Sequence, residues 1–366
     1  MAPPLESPPA PTEIEISLFG PAFGESLVIH IGQGKWIIVD SCIGPGPEKY
    51  PIPLAYLKTL NVDVGSKVEL VIASHWHDDH IRGLAQVLEE SKIASFACPA
   101  VMAGKEFLSL KELYEHSDVR HNSGINEYTR IFNILSARGT HAQRALASSR
   151  LLNSVAGKEG SFFNVELWAL SPTHAAMDAY IKQLVKPITE QGPQRRITNL
   201  KPNDTAMVLQ LIAGADSALL GSDMENHGAS GWGFILDAPG RPPQMSSSYK
   251  VAHHGSASGD HPITWSGLLN PQPFAFVTPF HNGRVRLPTA ADIARIKGLT
   301  DKSYITAVPP RELKSRSLPR SVQRTIDQNL VKIWTSYSSS GHIRFRFTPG
   351  TPMTREVSLF RGATKL

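Results

Sequence analysis

Seven consecutive residues, Ser74-His75-Trp76-His77-Asp78-Asp79-His80, carry three imidazoles and two carboxylates. A hydrophobic core has no use for that density of titratable groups, whereas neutral imidazole and carboxylate are donors that suit zinc, manganese or iron. The preceding run Val68-Glu69-Leu70-Val71-Ile72-Ala73 is short, apolar and β-branched, and so reads as a buried strand that delivers the polar cluster at its end. Ile81, Leu84, Val87 and Leu88 then recur at helical spacing, which puts Asp79 and His80 in a first helical turn that Asp78 or Asp79 could cap. In an extended loop His75 and His77 project to the same side, while Asp79 and His80 turn toward a second point. The pattern predicts two adjoining cation sites. The plainer alternative is a solvated loop with chance histidines, and it leaves the further acids and histidines downstream unexplained.

The rest of the chain must position that cluster. Hydrophobic residues make up 41% of 366 and charged residues 19%, enough apolar mass for a large core and too little charge for a disordered chain. Cys42 and Cys98 form neither a CxxC pair nor a disulfide framework, so redox chemistry and a stapled secreted fold are set aside and the cytoplasm is the expected compartment. Met1 to Thr12 is proline-rich without a basic and then apolar stretch, and reads as a flexible leader rather than a signal peptide. No run approaches the roughly 18 apolar residues needed to cross a bilayer, so no membrane association is expected. The net charge of +5 is uneven: residues 301–366 hold twelve Lys/Arg against four Asp/Glu, densest at Arg311, Lys314, Arg316, Arg320 and Arg324. A basic segment over 311–332 would draw a polyanion, nucleic acid first, although a solvated basic surface reads equally well.

Apolar runs at 14–18, 27–31 and 36–39, separated by glycine turns, predict an antiparallel meander. Residues 100–160 and 175–202 read as largely helical insertions. His116, His121 and His141 fall in the first of them as ordinary surface or structural histidines. A second strand-to-acid transition occurs at Ser217-Ala218-Leu219-Leu220-Gly221-Ser222-Asp223. Because a carboxylate has two oxygens, Asp223 can bridge two cations.

The run His75-x-His77-x-Asp79-His80 resembles the second motif of the metallo-β-lactamase fold superfamily. Within it, Lys250-Val251-Ala252-His253-His254-Gly255-Ser256 resembles the ComEC/Rec2-type hydrolase domains and the phosphorylcholine esterases, and the likeness runs from about residue 13 to 348. The resemblance implies an αββα sandwich with helical insertions, and a tail over 349–366. It implies that Asp40, in Asp40-Ser41-Cys42-Ile43-Gly44, orients the ligand loop without ligating. It implies that His174, after Ser171-Pro172-Thr173, completes the first site beside His75 and His77, and that His253 or His254 joins Asp79, His80 and Asp223 at the second. Asp79 and both histidines of that pair would share the catalytic work. Asn203 lies in the family's Asn-x-x-Ser-x-Val-Leu place. The Asn-x-Tyr-Gly-His-Pro segment corresponds to His281-Asn282-Gly283-Arg284 onward, with Leu287 where the family has histidine. Asn203, His281, Asn282 and Arg284 are therefore expected to touch substrate. Val331 to Trp334 and Ser340 to Phe345 resemble the closing strand pair.

The expected activity is that of a dinuclear hydrolase, with zinc as the first choice of cation and manganese the second, acting through a metal-bridging hydroxide on DNA or RNA. A small-molecule hydrolase cleaving a phosphorylcholine-type ester, cyclic nucleotide, lactone or thioester uses the same ligands. A metal-binding subunit without turnover, in a nucleic-acid or phage-defence complex with a protein partner, is the third reading.

Overall fold

The computed structural model describes residues 7–20, 24–44, 49–104, 107, 123–159, 161–189, 201–228, 230–282, 285–307 and 341–366. The first sheet is built from β1 (Ile14–Gly20), β2 (Ser26–Ile31), β3 (Trp36–Val39), β4 (Val68–Ile72), β5 (Ser95–Pro99) and β6 (Gln143–Ala145). The second uses β7 (Ser149–Lys158), β8 (Ser161–Ala169), β9 (Leu209–Ala213), β10 (Asp216–Leu220), β11 (Ser246–Lys250) and β12 (Leu269–Val277). A small hairpin follows, β13 (Phe280–Asn282) with β14 (Val285–Leu287), and then β15 (Ser303–Ile305), β16 (Gly341–Phe347), β17 (Glu356–Phe360) and β18 (Thr364–Lys365). Strand order is β17-β16-β1-β2-β3-β4-β5-β6 in one sheet and β18-β15-β12-β11-β10-β9-β8-β7 in the other.

Alternation explains the layering. Ile14, Ile16, Leu18 and Ile29, Ile31 of the first sheet meet Val165, Leu167, Leu209 and Leu211 of the second in one buried cluster between the sheets. Helices cover both outer faces. Leu54 and Leu57 of the helix Ile52–Thr59 and Leu84, Val87 and Leu88 of the helix Leu84–Glu90 pack on the first sheet. Trp232 and Ile235 of the helix Trp232–Leu236 and Ile296 of the helix Ala290–Leu299 pack on the second. The arrangement is the expected αββα sandwich.

The meander β1-β2-β3 is antiparallel, after which β3 to β6 run parallel, and β10, β11, β12 and β15 are parallel in the second sheet. Parallel strands bring their carboxyl ends, and the polar residues that follow them, to one edge. Asp40, the 74–80 loop, Asp223, His254 and Thr278 all emerge there.

Several expectations are corrected. Residues 143–158, read as helical, form β6, a short turn and β7. Pairing of β7 along β8 outweighs the sparse leucine spacing that suggested a helix. The helix Ser123–Ala137 is present in that stretch, whereas 105–106 and 108–122, with His116 and His121, lie outside the described residues. The stretch 175–202 opens as the helix His174–Thr189, whose Tyr180 and Leu184 belong to the core of the first layer rather than to an appendage. Residues 349–366 are no tail: β17 and β18 add a strand to each sheet and bury Val357, Leu359 and Leu366 partly against the cores. The described part of the leader is tied down, with the Ser7 carbonyl accepting from Arg346 at 2.6 Å and that of Pro11 from the Gln33 amide at 2.9 Å. The basic segment 311–332, Arg284 and the first closing strand at Val331 to Trp334 lie outside the described residues.

Candidate metal centre

The 74–80 loop leaves β4 and turns into the short helix Asp78–Ile81, which Gly83, in the left-handed region at φ 80°, separates from Leu84–Glu90. The N-cap of that short helix is His77, with no side-chain cap, so neither Asp78 nor Asp79 caps it as expected. Asp79 is instead turned toward the site, where its Oδ2 lies 3.7 Å from His80 Nε2 and 3.5 Å from His254 Nε2.

Two groups of donors converge, Asp79, His80, Asp223 and His254 in one and His75, His77 and Asp223 in the other. Asp223 Oδ2 stands 3.9 Å from His75 Nε2, 3.4 Å from His80 Nε2 and 3.3 Å from His254 Nε2, so one carboxylate belongs to both. A third combination, Asp40 with His75 and His80, also meets the distance requirement. Asp40 is nonetheless already engaged through both oxygens: Oδ1 accepts from the Ser74 amide at 2.7 Å, and Oδ2 from Ser74 Oγ at 2.6 Å and His80 Nδ1 at 2.8 Å. Those three bonds suit it to orient the loop and the His80 ring rather than to ligate.

Hydrogen bonds at the far side of each ring fix the tautomers. Ser74 gives its hydroxyl proton to Asp40, so toward His75 Nδ1, 3.0 Å away, it can only accept. His80 Nδ1 donates to Asp40, and His254 Nδ1 donates to the Thr278 carbonyl at 3.0 Å. In the neutral form all three rings therefore turn an unprotonated Nε2 inward. His80 Nε2, His254 Nε2 and Asp223 Oδ1 are buried without a hydrogen-bond partner. Convergent lone pairs among buried carboxylates want a cation, so the residues present fit a metal.

The electrostatics agree. Burial alone would lower the pKa of His80, but the carboxylates of Asp223 and Asp79 outweigh it and hold the ring well above its usual value. For His254 burial is likewise overcome, by Asp223 first, and its pKa rises to about 10. Burial would raise Asp223, yet His254 and His80 hold it well below the usual carboxylate range. His75, buried and facing the rings of His80 and His77, is pushed well down. The pocket thus demands positive charge, which protons supply in the absence of a divalent ion.

Residues 20–174 match the family model described as the metallo-beta-lactamase superfamily. The match spans under half of the chain, and over that stretch the sequence is similar to the metallo-β-lactamase superfamily. No curated protein matches it. Among solved structures it is similar to the Rm3 metallo-beta-lactamase, at 12% identity over 68% of this chain and 80% of that one, with a TM-score of 0.32. It is similar to the metallo-beta-lactamase fold protein YhfI from Bacillus subtilis, at 12% identity over 80% and 95% of the two chains, TM-score 0.37. Zn(2+)-bound PqqB from Methylobacterium extorquens is a more partial likeness, at 12% identity over 53% and 51%, TM-score 0.27. Likenesses this distant transfer no activity to the present chain.

Two histidines expected as ligands of this superfamily site are not brought to it. His174 is exposed at the first position of the helix His174–Thr189 and enters neither donor group, because the chain turns into that helix directly after Thr173. His253 is drawn the other way, with Nδ1 2.8 Å from Glu225 Oε1 and 2.9 Å from Ser258 Oγ, and Nε2 3.5 Å from Asn203 Nδ2. Of the adjoining pair, His254 is the one in the donor group. Asn203 lies beside Glu225 and His253 in the turn Pro202–Thr205, and His281 and Asn282 lie in β13, outside both groups.

Ser222, the extra residue before Asp223, is explained by the backbone. It adopts a left-handed φ of 47°, its carbonyl accepts from Lys250 Nζ at 3.0 Å and the His253 amide at 2.9 Å, and its Oγ donates to Ser74 Oγ at 2.9 Å. That twist swings Asp223 into the site. Asp40, His253 and His254 also have left-handed φ, of 59°, 47° and 53°, costs of about 1–3 kcal/mol each that cluster where the geometry is needed.

Sequence reasoning missed Glu25, Lys250, Thr278, Glu225 and Phe280, whose ring stacks on His254 at 5.0 Å. The available signals were a glutamate adjoining the apolar run 27–31 and a lysine inside the buried run 246–252.

Proposed function

We propose that the chain is a dinuclear metal-dependent hydrolase of the ComEC/Rec2 type that cleaves phosphodiesters, with DNA or RNA as substrate. The observation that carries this is the sharing of Asp223 between two donor groups, which suits two cations side by side. Paired divalent ions activate a water and stabilise both the attacking and the leaving oxygen of an in-line displacement, the arrangement of phosphatases and nucleases. His75 and His77 with Asp223 would hold one cation, and Asp79, His80 and His254 with the same Asp223 the other. The first set has three protein donors and the second four, so the open coordination, and with it the substrate, belongs on the His75/His77 side. His253, its Nδ1 side facing Glu225, would in this reading contact a phosphate oxygen or the leaving group rather than a cation. The basic segment 311–332 supports a polyanionic substrate, and zinc or manganese suits the nitrogen and carboxylate donors.

A small-molecule ester is the second reading, favoured by Glu225 and Asp204 near the site, whose charge would oppose a nucleic-acid backbone. The test strips the full chain of metal and restores zinc or manganese. Bis-p-nitrophenyl phosphate, single- and double-stranded DNA, RNA, a thioester and a lactone are then offered. Metal-dependent cleavage of the phosphodiesters, with polynucleotide turned over faster than the small ester and slowed by salt, is expected. Cleavage confined to thioester or lactone would refute the proposal, and tight metal binding without turnover on any of them would favour the non-catalytic reading.

A further inference from the structure

Behind the metal centre lies a buried ion pair that joins the two sheets. Lys250, the last residue of β11, is 1% exposed and Glu25, just before β2, is 3% exposed. The ammonium contacts the Glu25 carboxylate, donates to the Ser222 carbonyl at 3.0 Å and stands 3.9 Å from Asp223 Oδ1. Glu25 in turn accepts from Thr278 Oγ1 at 2.6 Å, while the Thr278 carbonyl holds His254 Nδ1. The Glu25 amide donates to the Asp79 carbonyl at 2.9 Å, and its Oε1 lies 3.8 Å from His80 Nδ1. Each donor of the second group is therefore in contact with this pair or one bond removed from it. Among the described residues, the His75/His77 group meets it only through the shared Asp223.

A buried ion pair is a costly way to stabilise a fold, because two apolar side chains of similar volume often serve as well. An ammonium so near a cation site is costlier still, since like charges repel. Glu25 removes that conflict by neutralising Lys250, and leaves its hydrogen-bonding capacity for the Ser222 carbonyl that aims Asp223.

We propose that Lys250 and Glu25 act as one positioning unit, a clamp between the sheets that sets the second cation site, formed by Asp79, His80, Asp223 and His254, and reaches the His75/His77 site only through the shared Asp223. The inference rests on the two-cation reading above. Removing Glu25 alone leaves an uncompensated ammonium beside the site, and removing Lys250 alone frees the Ser222 turn and a second buried charge. Removing both restores neutrality.

The test is a double-mutant cycle on metal affinity in the full chain, with manganese alone as the probe. Titration gives the two dissociation constants, and electron paramagnetic resonance distinguishes coupled from isolated ions. Glu25→Gln is expected to weaken the second site at least tenfold with the first changed less than threefold. Lys250→Met is expected to weaken the same site. The double variant should lose at least tenfold less than the product of the two single losses. Unchanged second-site affinity in both single variants, or losses that multiply without coupling, would overturn the clamp. So would coupling seen only in the melting temperature of the metal-free chain, which a purely structural pair would give. Should Glu25→Gln fail to fold, Glu25→Asp, which keeps the charge but withdraws it by one methylene, takes its place with the same expected loss. A wild-type chain that binds fewer than two ions would sink the two-cation reading itself, a result read before any variant is made.

Discussion

Asp40→Asn offers the sharpest test of how the ligand loop is held. The wild-type carboxylate accepts from three buried donors, the Ser74 amide, the Ser74 hydroxyl and His80 Nδ1. An asparagine keeps one acceptor and gains two donors. The backbone amide cannot change, so the new carbonyl stays with it and the new NH2 meets the hydroxyl and His80 Nδ1. The hydroxyl can rotate, but His80 can avoid a donor facing a donor only by moving its proton to Nε2, into the metal centre. Loss of such an outer partner costs about ten- to a hundredfold in metal affinity, or about 1.4–2.7 kcal/mol. The lost charge-assisted bond adds about 1.5–3 kcal/mol of fold destabilisation. Competition of the folded variant against a chromophoric chelator for zinc measures the first, and urea unfolding of the metal-free chain the second. Asp40→Ala, which removes the acceptor without forcing the tautomer, should lose less metal affinity than Asp40→Asn. A folded Asp40→Asn protein that binds zinc as tightly as wild type would refute the tautomer argument.

His174→Ala should leave metal stoichiometry and turnover within about twofold of wild type, since an exposed surface substitution typically changes stability by less than about 0.5 kcal/mol. Metal analysis by mass spectrometry and the phosphodiester assay check it. Gly24→Ala should be severely destabilising, by about 3 kcal/mol or more, because Gly24 has φ +115° and a Cβ there would overlap the Asp79 carbonyl. Thermal melts with and without zinc would show it. Burial lowers the His30 pKa from 6.5 to about 4. Its ring also donates through Nδ1 to the Glu13 carbonyl at 2.9 Å and accepts at Nε2 from the Gly34 amide at 3.0 Å, leaving no place for a second proton. The stability this contributes is complete above about pH 6.5 and is lost as pH falls toward 4, about 3 kcal/mol in all. Urea midpoints of wild type and His30→Gln between pH 7 and pH 4 should converge toward the acid end, and parallel curves would contradict the assignment.

The cation-binding character of His75, His77, Asp79 and His80 was legible because four donors within six residues are bound together by the covalent chain, whatever the fold does around them. The meander and the strand-end place of Asp223 were legible for a similar reason, since periodicity acts over a few bonds. Choices between near neighbours were not. His253 and His254 are adjacent and chemically identical, and only the partners waiting on each side, Glu225 for one and Thr278 for the other, divide them. His174 carries the expected spacing, yet helix packing turns it to solvent. Lys250 and Glu25 are 225 residues apart in the chain, and nothing local to either announces the other. Such pairings depend on how two sheets stack, and the free energy that decides the stacking is spread over the whole apolar interface between them, beyond the reach of any single motif.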